Sequence, residues 1–288
     1  MTKFRLLGLG VVLALTLAGC SRAPLPAQPA IWHVTAANGN EAWLFGTIHA
    51  APAPLAWRTP EVEAALARSD EVLVEVANIA GEAAVAQAFT ALSRTPGLPP
   101  VDQRVAPAQR KALTAMLDTR GIKAGDLRNV ETWAVALTLA RPADGSDGRN
   151  GVDRAVLAAA LGKPVVELEG ASAQLAIFDR LPEHEQRDLL GAVLADEGAL
   201  DDGADLVDIW RKGDMARIEA ETRTGLLADP ELREVLFTQR NRAWTRRIIG
   251  EILAGHRPFV AVGAAHMAGP DGLVSMLRHS GYTVSRLP

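Results

Sequence analysis

Short runs of apolar and β-branched residues recur along this chain, separated by longer stretches in which apolar residues return every three or four positions. Ala42-Trp43-Leu44-Phe45, Glu71 to Val76, Lys163 to Leu168 and Pro258 to Val262 have the length and composition of strands buried in a sheet. Between them the pattern predicts helices. Pro60 to Arg68 begins with proline at a first helical position, and Pro107 to Arg120 is closed by Gly121. Pro230 to Leu253, the most regular of them, follows a capping Asp229, and Pro258 to Leu287 reads as strand, helix and final strand. Strands separated by helices predict a mixed α/β to α+β fold, a central β-sheet flanked by helices.

The opening segment stands apart from this pattern. Lys3 and Arg5 precede an apolar stretch from Leu6 to Leu17 that ends in Ala18 and Gly19, the layout of a secretory signal. About 12 apolar residues are too few for a spanning helix, which needs about 20. Leu17-Ala18-Gly19-Cys20 resembles the lipobox of bacterial lipoproteins, in which cleavage precedes a cysteine that is then acylated; Cys20 is the only cysteine in the chain. The resemblance implies a membrane partner through a lipid anchor at Cys20. Ser21 directly after it resembles the outer-membrane sorting pattern of Gram-negative lipoproteins, which implies a protein on the periplasmic side of the outer membrane. Pro24, Pro26 and Pro29 then make an extended tether. The expected organisation is a signal peptide over 1–19, a lipidated cysteine and tether over 20–29, and one domain over 30–288.

Charge and composition exclude more than they select. With 48% hydrophobic and 22% charged residues the chain is globular rather than disordered. Its 30 basic residues, less Lys3 and Arg5 of the signal, face 34 acidic ones, a balance that argues against nucleic acid as a partner.

Candidate chemistry lies where strands end. Gly46-Thr47-Ile48-His49 follows the first strand and Gly263-Ala264-Ala265-His266 follows the strand Pro258 to Val262, so the motif G-x-x-H occurs twice, each time at a strand end. Open sheets bind ligands outside the carboxyl ends of their strands, and glycine there lets the chain turn and approach a ligand closely. Both histidines are therefore expected to face one crevice. Glu75 near the end of Val72 to Val76, and Glu169 after Val165 to Leu168, place carboxylates in the same setting. Glu75 either faces solvent from a half-exposed edge strand or is buried with a partner, which histidines or a metal could supply.

Helical geometry sorts the next pair. At 100° per residue Asn241 shares a direction with Trp244, Ile248 and Ile252 and points inward, toward either a site ligand or a loop carbonyl. Arg240 borders this stripe, placed to pair with an acidic site residue or to neutralise a substrate carboxylate or oxyanion, while Arg242, Arg246 and Arg247 form a solvated face. Asp153, between the Gly-, Asp- and Ser-rich stretch 142–151 and the helical run Arg154 to Leu161, reads as an N-cap. Asp144 and Asp147 in that stretch do not match an EF-hand loop. His33, His184, His256 and His279 lack the strand-end setting, and Trp43, Trp210 and Trp244 read as core.

Taken together, Ala42 to His49, the Glu75 strand, Gly151-Val152-Asp153, Gly162-Lys163-Pro164-Val165 leading to Glu169, Arg240-Asn241 and Val260 to Gly272 resemble the TraB/GumN family, relatives of the Tiki proteases. The resemblance covers nearly the whole chain after the signal. It implies a fold like that of the erythromycin esterase/ChaN-like group, and a metal-dependent hydrolase similar to Tiki relatives that act as Mn- or Co-dependent peptidases. His49, His266 and Glu75 match the family hallmark in order and are the implied ligands of a divalent ion, Mn, Co or Zn. Two imidazoles and a carboxylate are also a usual catalytic metal set, leaving a position for water. Glu169 would orient that water or act as base. The expected function is thus a lipid-anchored envelope hydrolase, peptidase-like, acting on a peptide or small-molecule substrate. The competing reading is a non-catalytic envelope protein that binds a peptide, a metal or a porphyrin in the same crevice, or serves as a scaffold.

Overall fold

The computed structural model describes residues 24–77, 82–140, 148–160, 162–195 and 203–288. The expected signal segment 1–19, Cys20 and the start of the expected tether lie outside these, as do Asp144 and Asp147. Among the described residues eight strands are formed: β1 (Leu25–Pro26), β2 (Ile31–Thr35), β3 (Glu41–Thr47), β4 (Leu55–Ala56), β5 (Glu71–Val74), β6 (Val165–Glu167), β7 (Pro258–Gly263) and β8 (Thr283–Arg286). Six of them make one sheet in the order β6-β5-β7-β3-β2-β8. The β6–β5, β5–β7 and β7–β3 pairs are parallel, whereas β2 runs antiparallel to both β3 and β8. The fold is therefore the expected mixed α/β architecture, with the carboxyl ends of β3, β5, β6 and β7 gathered on one edge.

Alternation along the strands feeds two apolar layers, because successive side chains leave a strand on opposite faces. Trp43, Phe45, Val72, Val74, Phe259 and Ala261 pack on one face with Val62, Val156 and Trp210 from three helices. Leu44, Leu73, Val260 and Val262 pack on the other with Trp244, Ile248 and Ile252. A third cluster, built around Trp133, Leu113 and Leu189, takes no residue from the sheet.

Local rules explain most boundaries. Thr59 caps the helix Pro60–Arg68 by accepting from Val62 N–H, and Gly121 ends the helix Arg110–Arg120 in the left-handed region at φ 63°. Asp229 Oδ1 accepts from the N–H groups of Glu231 and Leu232 at 2.9 and 3.0 Å. The expected helix Pro230 to Leu253 is continuous but not uniform: α-helix over Pro230–Arg233, a π-helical turn over Glu234–Thr238, and α-helix over Gln239–Leu253. Two expectations are corrected. Lys163 to Leu168 is not a buried strand; β6 is a three-residue edge strand with Val165 37% exposed, because it pairs with β5 alone. Ile31–Thr35 is a strand that the pattern did not single out. Part of the segment expected to be a tether packs on the domain, where β1 pairs with β4 and Gln28 N–H donates to Arg211 O at 2.7 Å. Among the described residues, no helix is long and apolar enough to cross a membrane.

Candidate active site

The two G-x-x-H segments lie side by side. Parallel pairing of β3 with β7 sets Gly46 opposite Val262 and Thr47 opposite Gly263, so both chains leave the sheet at the same level. Gly46 is required by a close approach: a Cβ there would stand 2.9 Å from both Cα and Cβ of Ala264. Its carbonyl accepts from Trp210 Nε1 at 2.8 Å. Beyond these ends lies a cavity of about 550 Å³ whose wall includes His49, Glu75, Arg240 and His266. The expectation that both imidazoles face one crevice holds.

Arg240 is the centre of the charge arrangement. Its Nε and Nη2 donate to the two oxygens of Glu169 at 2.8 and 3.0 Å, and Nη2 also donates to Glu75 Oε2 at 2.9 Å. Nη1 donates to Leu236 O at 3.1 Å, and the guanidinium lies over the Trp244 ring, 4.6 Å from its centroid. Glu75 is 8% exposed, so of the two options for it burial with a partner is realised. Its Oε1 accepts from Gly263 N–H at 2.8 Å and its Oε2 from Gln174 Nε2 at 3.2 Å. Burial opposes ionisation of Glu75, but Arg240 and the Gly263 N–H, with His266 and His49 as neighbours, outweigh it and hold the carboxyl below its ordinary value. Burial likewise works against the Arg240 charge, and hydrogen bonding to Glu169 and Glu75 reverses the effect and raises its pKa.

His266 is fixed and neutral. It sits in the short turn Ala264–Met267, 8% exposed, stacked on Phe237 at 5.1 Å and tilted against Trp244 at 4.5 Å. Asn241 Nδ2 donates to Asp271 O at 2.7 Å, which turns Oδ1 toward His266 Nδ1 at 2.6 Å. An amide oxygen only accepts, so Nδ1 carries the proton and Nε2 keeps its lone pair. Burial pushes the imidazole down to about 3, so it is uncharged at neutral pH. Nε2 meets Arg240 Nη1 at 3.4 Å, a long contact.

His49 is the exposed member. Its ring reaches into the crevice, 68% exposed, and Nδ1 donates to Asp153 Oδ2 at 2.7 Å. That hydrogen bond to a carboxylate raises the imidazole above its ordinary value. Asp153 corrects its expected capping role. The N-cap of the helix Val152–Ala159 is Gly151, and Asp153 lies inside the first turn, 8% exposed, turned toward His49. The loops are stitched together locally: Val152 N–H donates to Ile48 O at 2.8 Å, and a Cβ on Gly151 would lie 2.4 Å from His49 O.

Four expected residues, His49, Glu75, Arg240 and His266, thus line the crevice. Glu169 and Asn241 stand behind that wall, gripping Arg240 and His266. Asp153 and Gln174 were missed; nothing in the spacing of Gln174 marks it, and the polar stretch before Asp153 favoured a cap. Among the described residues, two groups place three potential ligand atoms within 4.8 Å of one another: Glu71, Glu251 and His256, and Glu185, Asp188 and Asp229. His49, His266 and Glu75 do not form such a group. Their donor types suit a divalent ion, and each imidazole offers Nε2, but Arg240 and the Gly263 N–H occupy the carboxylate of Glu75.

A mixed sheet whose parallel strand ends present an Arg-bridged pair of carboxylates and two anchored imidazoles makes this an α/β domain with acid–base groups gathered in one crevice. The chain belongs to the TraB/PrgY/gumN family, whose description matches residues 30–286. It is similar to the "Uncharacterized protein YbaP" of Shigella flexneri and to that of Escherichia coli (strain K12). Each is 28% identical over 269 residues, covering 87% of this chain and 92% of the relative. No solved structure matches the chain, so likeness to erythromycin esterase/ChaN-like folds rests on the sequence resemblance.

Proposed function

We propose that the crevice hydrolyses an amide or ester bond in a peptide or small molecule, with His49 as the general base. The observation that carries this is the His49–Asp153 pair: Nδ1 is committed to a carboxylate, so Nε2 is the atom left to take a proton in the crevice. In this reading Nε2 removes a proton from water as the water oxygen bonds to the substrate carbonyl carbon. The same proton then passes to the departing nitrogen or oxygen as that bond breaks. Arg240 supplies positive charge for the oxyanion, which would displace the long contact to His266 Nε2. Glu75 and Glu169 hold Arg240 in place, and Asn241 holds His266. A second cavity of about 800 Å³, lined in part by Val85, Phe89, Leu137 and Leu175, shares His49, Glu75 and Gln174 with the first. Apolar groups on both sides of the scissile bond would fit these two arms.

One observation favours a metal-dependent version: both imidazoles bind a fixed acceptor through Nδ1 and leave Nε2 open, as metal-ligating histidines do. Mn, Co or Zn held by His49, His266 and Glu75 would lower the pKa of bound water. The spacing of the three does not fit such an ion, so water activation is assigned to His49. The test is a screen of ester and peptide libraries with the purified protein, with and without added Mn, Co or Zn. His49→Gln is expected to lower activity about 100-fold or more while the protein remains folded. Retained activity in that variant overturns the proposal. Activity abolished by a chelator and restored by metal selects the metal-dependent version, and ligand binding without turnover selects a binding protein.

We further propose that Cys20 carries the acyl anchor and holds the domain on the periplasmic side of a Gram-negative membrane. Metabolic labelling with a fatty acid should mark the wild type and not Cys20→Ser.

A further inference from the structure

We propose that Glu71, Glu251 and His256 form a divalent-metal site at the end of the sheet opposite the crevice, independent of the hydrolytic reading. The position follows from the topology. Glu71 opens β5 and pairs with Pro258, the first residue of β7, so it begins the same two strands whose far ends deliver Glu75 and Gly263. Four residues of strand put it about 13 Å from Glu75. Glu251 lies in the last turn of the helix Gln239–Leu253, and His256 follows two residues after Ala254, its N–H donating to Glu251 O at 3.0 Å.

The three side chains converge. His256 Nδ1 lies 2.7 Å from Glu251 Oε2 and 3.7 Å from Glu71 Oε1, and the three potential ligand atoms all lie within 4.8 Å of one another. What points to a ligand is Glu71. It is 6% exposed, it is aimed into this group, and its Oε1 accepts no hydrogen bond. A buried carboxylate oxygen facing a second carboxylate, with no donor of its own, is costly to maintain. The charged groups around it do not resolve this: Arg247 Nη2 binds Glu251 Oε1 at 2.8 Å, and Arg257 pairs with Asp70 at 3.3 Å. A divalent cation between the three would give Glu71 Oε1 its missing partner, offset the repulsion between the acids and replace the proton on His256 Nδ1. Two carboxylates and one imidazole suit Zn, Mn or Co, with Zn bound more tightly than Mn at equal geometry. His256 is half exposed, which leaves an entry path and room for water ligands. An ion here would pin the C-terminal end of the helix that carries Arg240 and Asn241 about 16 Å away at its other end.

The experiment is a calorimetric titration of the chelator-treated, full-length protein with Zn²⁺, paired with thermal melts. One equivalent should bind, with a rise in Tm of about 5 °C or more at saturation. His256→Ala should weaken binding at least 10-fold. Glu71→Gln should abolish the Tm response while melting no lower than wild type in chelator, because it replaces a buried carboxylate whose Oε1 accepts no hydrogen bond by a neutral amide; that keeps loss of binding distinct from loss of fold. His49→Ala and His266→Ala should bind Zn²⁺ as wild type does. The proposal is overturned if wild type binds no Zn²⁺, if binding survives in both His256→Ala and Glu71→Gln, or if it disappears with His49→Ala instead.

Discussion

Replacing Arg240 by Met tests whether the site is held by charge or by packing. The thioether keeps the chain's apolar contact over Trp244 but removes three hydrogen bonds to carboxylates, to Glu169 at 2.8 and 3.0 Å and to Glu75 at 2.9 Å. The side chains of Arg240, Glu169 and Glu75 are 13, 12 and 9% exposed, so two carboxylates would be left close together with little water. Removing one partner of a buried ion pair costs about 3–5 kcal/mol. An independent bound comes from protonation. Taking up a proton on a carboxyl of ordinary pKa at pH 7 costs about 3.7 kcal/mol, so the loss should settle near 4 kcal/mol. That corresponds to a fall in Tm of about 10 °C for a domain of this size. The same bound predicts pH dependence: at pH 5 protonation costs about 1 kcal/mol, so most of the defect should vanish there. Urea unfolding at both pH values reads it, and adding Glu75→Gln to Arg240→Met should recover stability at pH 7. A loss below about 1 kcal/mol at pH 7, or an equal loss at the two pH values, would mean that Arg240 is not the counter-ion that keeps these acids ionised.

Three further outcomes follow from the same geometry. His266 has a folded pKa of about 3 against an ordinary 6.5, so the unfolded chain takes up the proton first as pH falls. Its contribution is complete above pH 6.5 and shrinks toward pH 3, with about 2 kcal/mol gone by pH 5; a flat urea-unfolding profile between pH 6.5 and 5 would contradict this. Asp153→Asn should lower the pKa of His49, whose elevation rests first on that hydrogen bond; an unchanged NMR titration of the His49 ring would remove Asp153 from its role. Gly46→Ala should cost about 1–3 kcal/mol, because the new Cβ meets backbone rather than a flexible side chain; an unchanged Tm would show that β3 and β7 can part at no cost.

How much of this was legible depends on the range of the signal. Thr59-Pro60, Gly121 and Asp229-Pro230 act within a turn, so the helix ends they specify are where the pattern puts them. The inward aim of Asn241 also followed from local periodicity. The π-helical turn before it left the phase of Asn241, Trp244, Ile248 and Ile252 intact, because all four lie downstream in regular helix. Strand-end placement found both histidines and both glutamates, since parallel pairing in register carries the carboxyl ends of β3, β5 and β7 to one edge whatever the loops do. The illegible part is pairwise. Whether Asp153 caps its helix or turns to an imidazole 104 residues away depends on how the loop before it is held, here by Val152 N–H on Ile48 O. That Glu169 grips Arg240 could not be read from its strand, because β6 is an edge strand with no apolar alternation to fix its faces. His256 was set aside for want of a strand-end setting, yet it lies just before the start of β7, where the sheet's other edge gathers Glu71 and Glu251.

The crevice has a consistent two-layer logic. Three groups that face it with a reactive or charged atom are each held by a neighbour: His49 by Asp153, Arg240 by Glu169, and His266 by Asn241, itself tied to Asp271 O. Each hold is a hydrogen bond of 2.6–2.8 Å, short enough to set both the rotamer and, for the imidazoles, which nitrogen carries the proton. Such an arrangement supports the proposed hydrolysis, because groups already held in place need no reorganisation as charge develops. It also separates two classes of defect. Loss of a facing group removes the chemistry and leaves the wall standing, whereas loss of a supporting group leaves the reactive atom present but free to rotate. If His49 is the base proposed above, Asp153→Asn should therefore shift the pH dependence of the activity without emptying the crevice, a difference that a purely structural role for Asp153 would not produce.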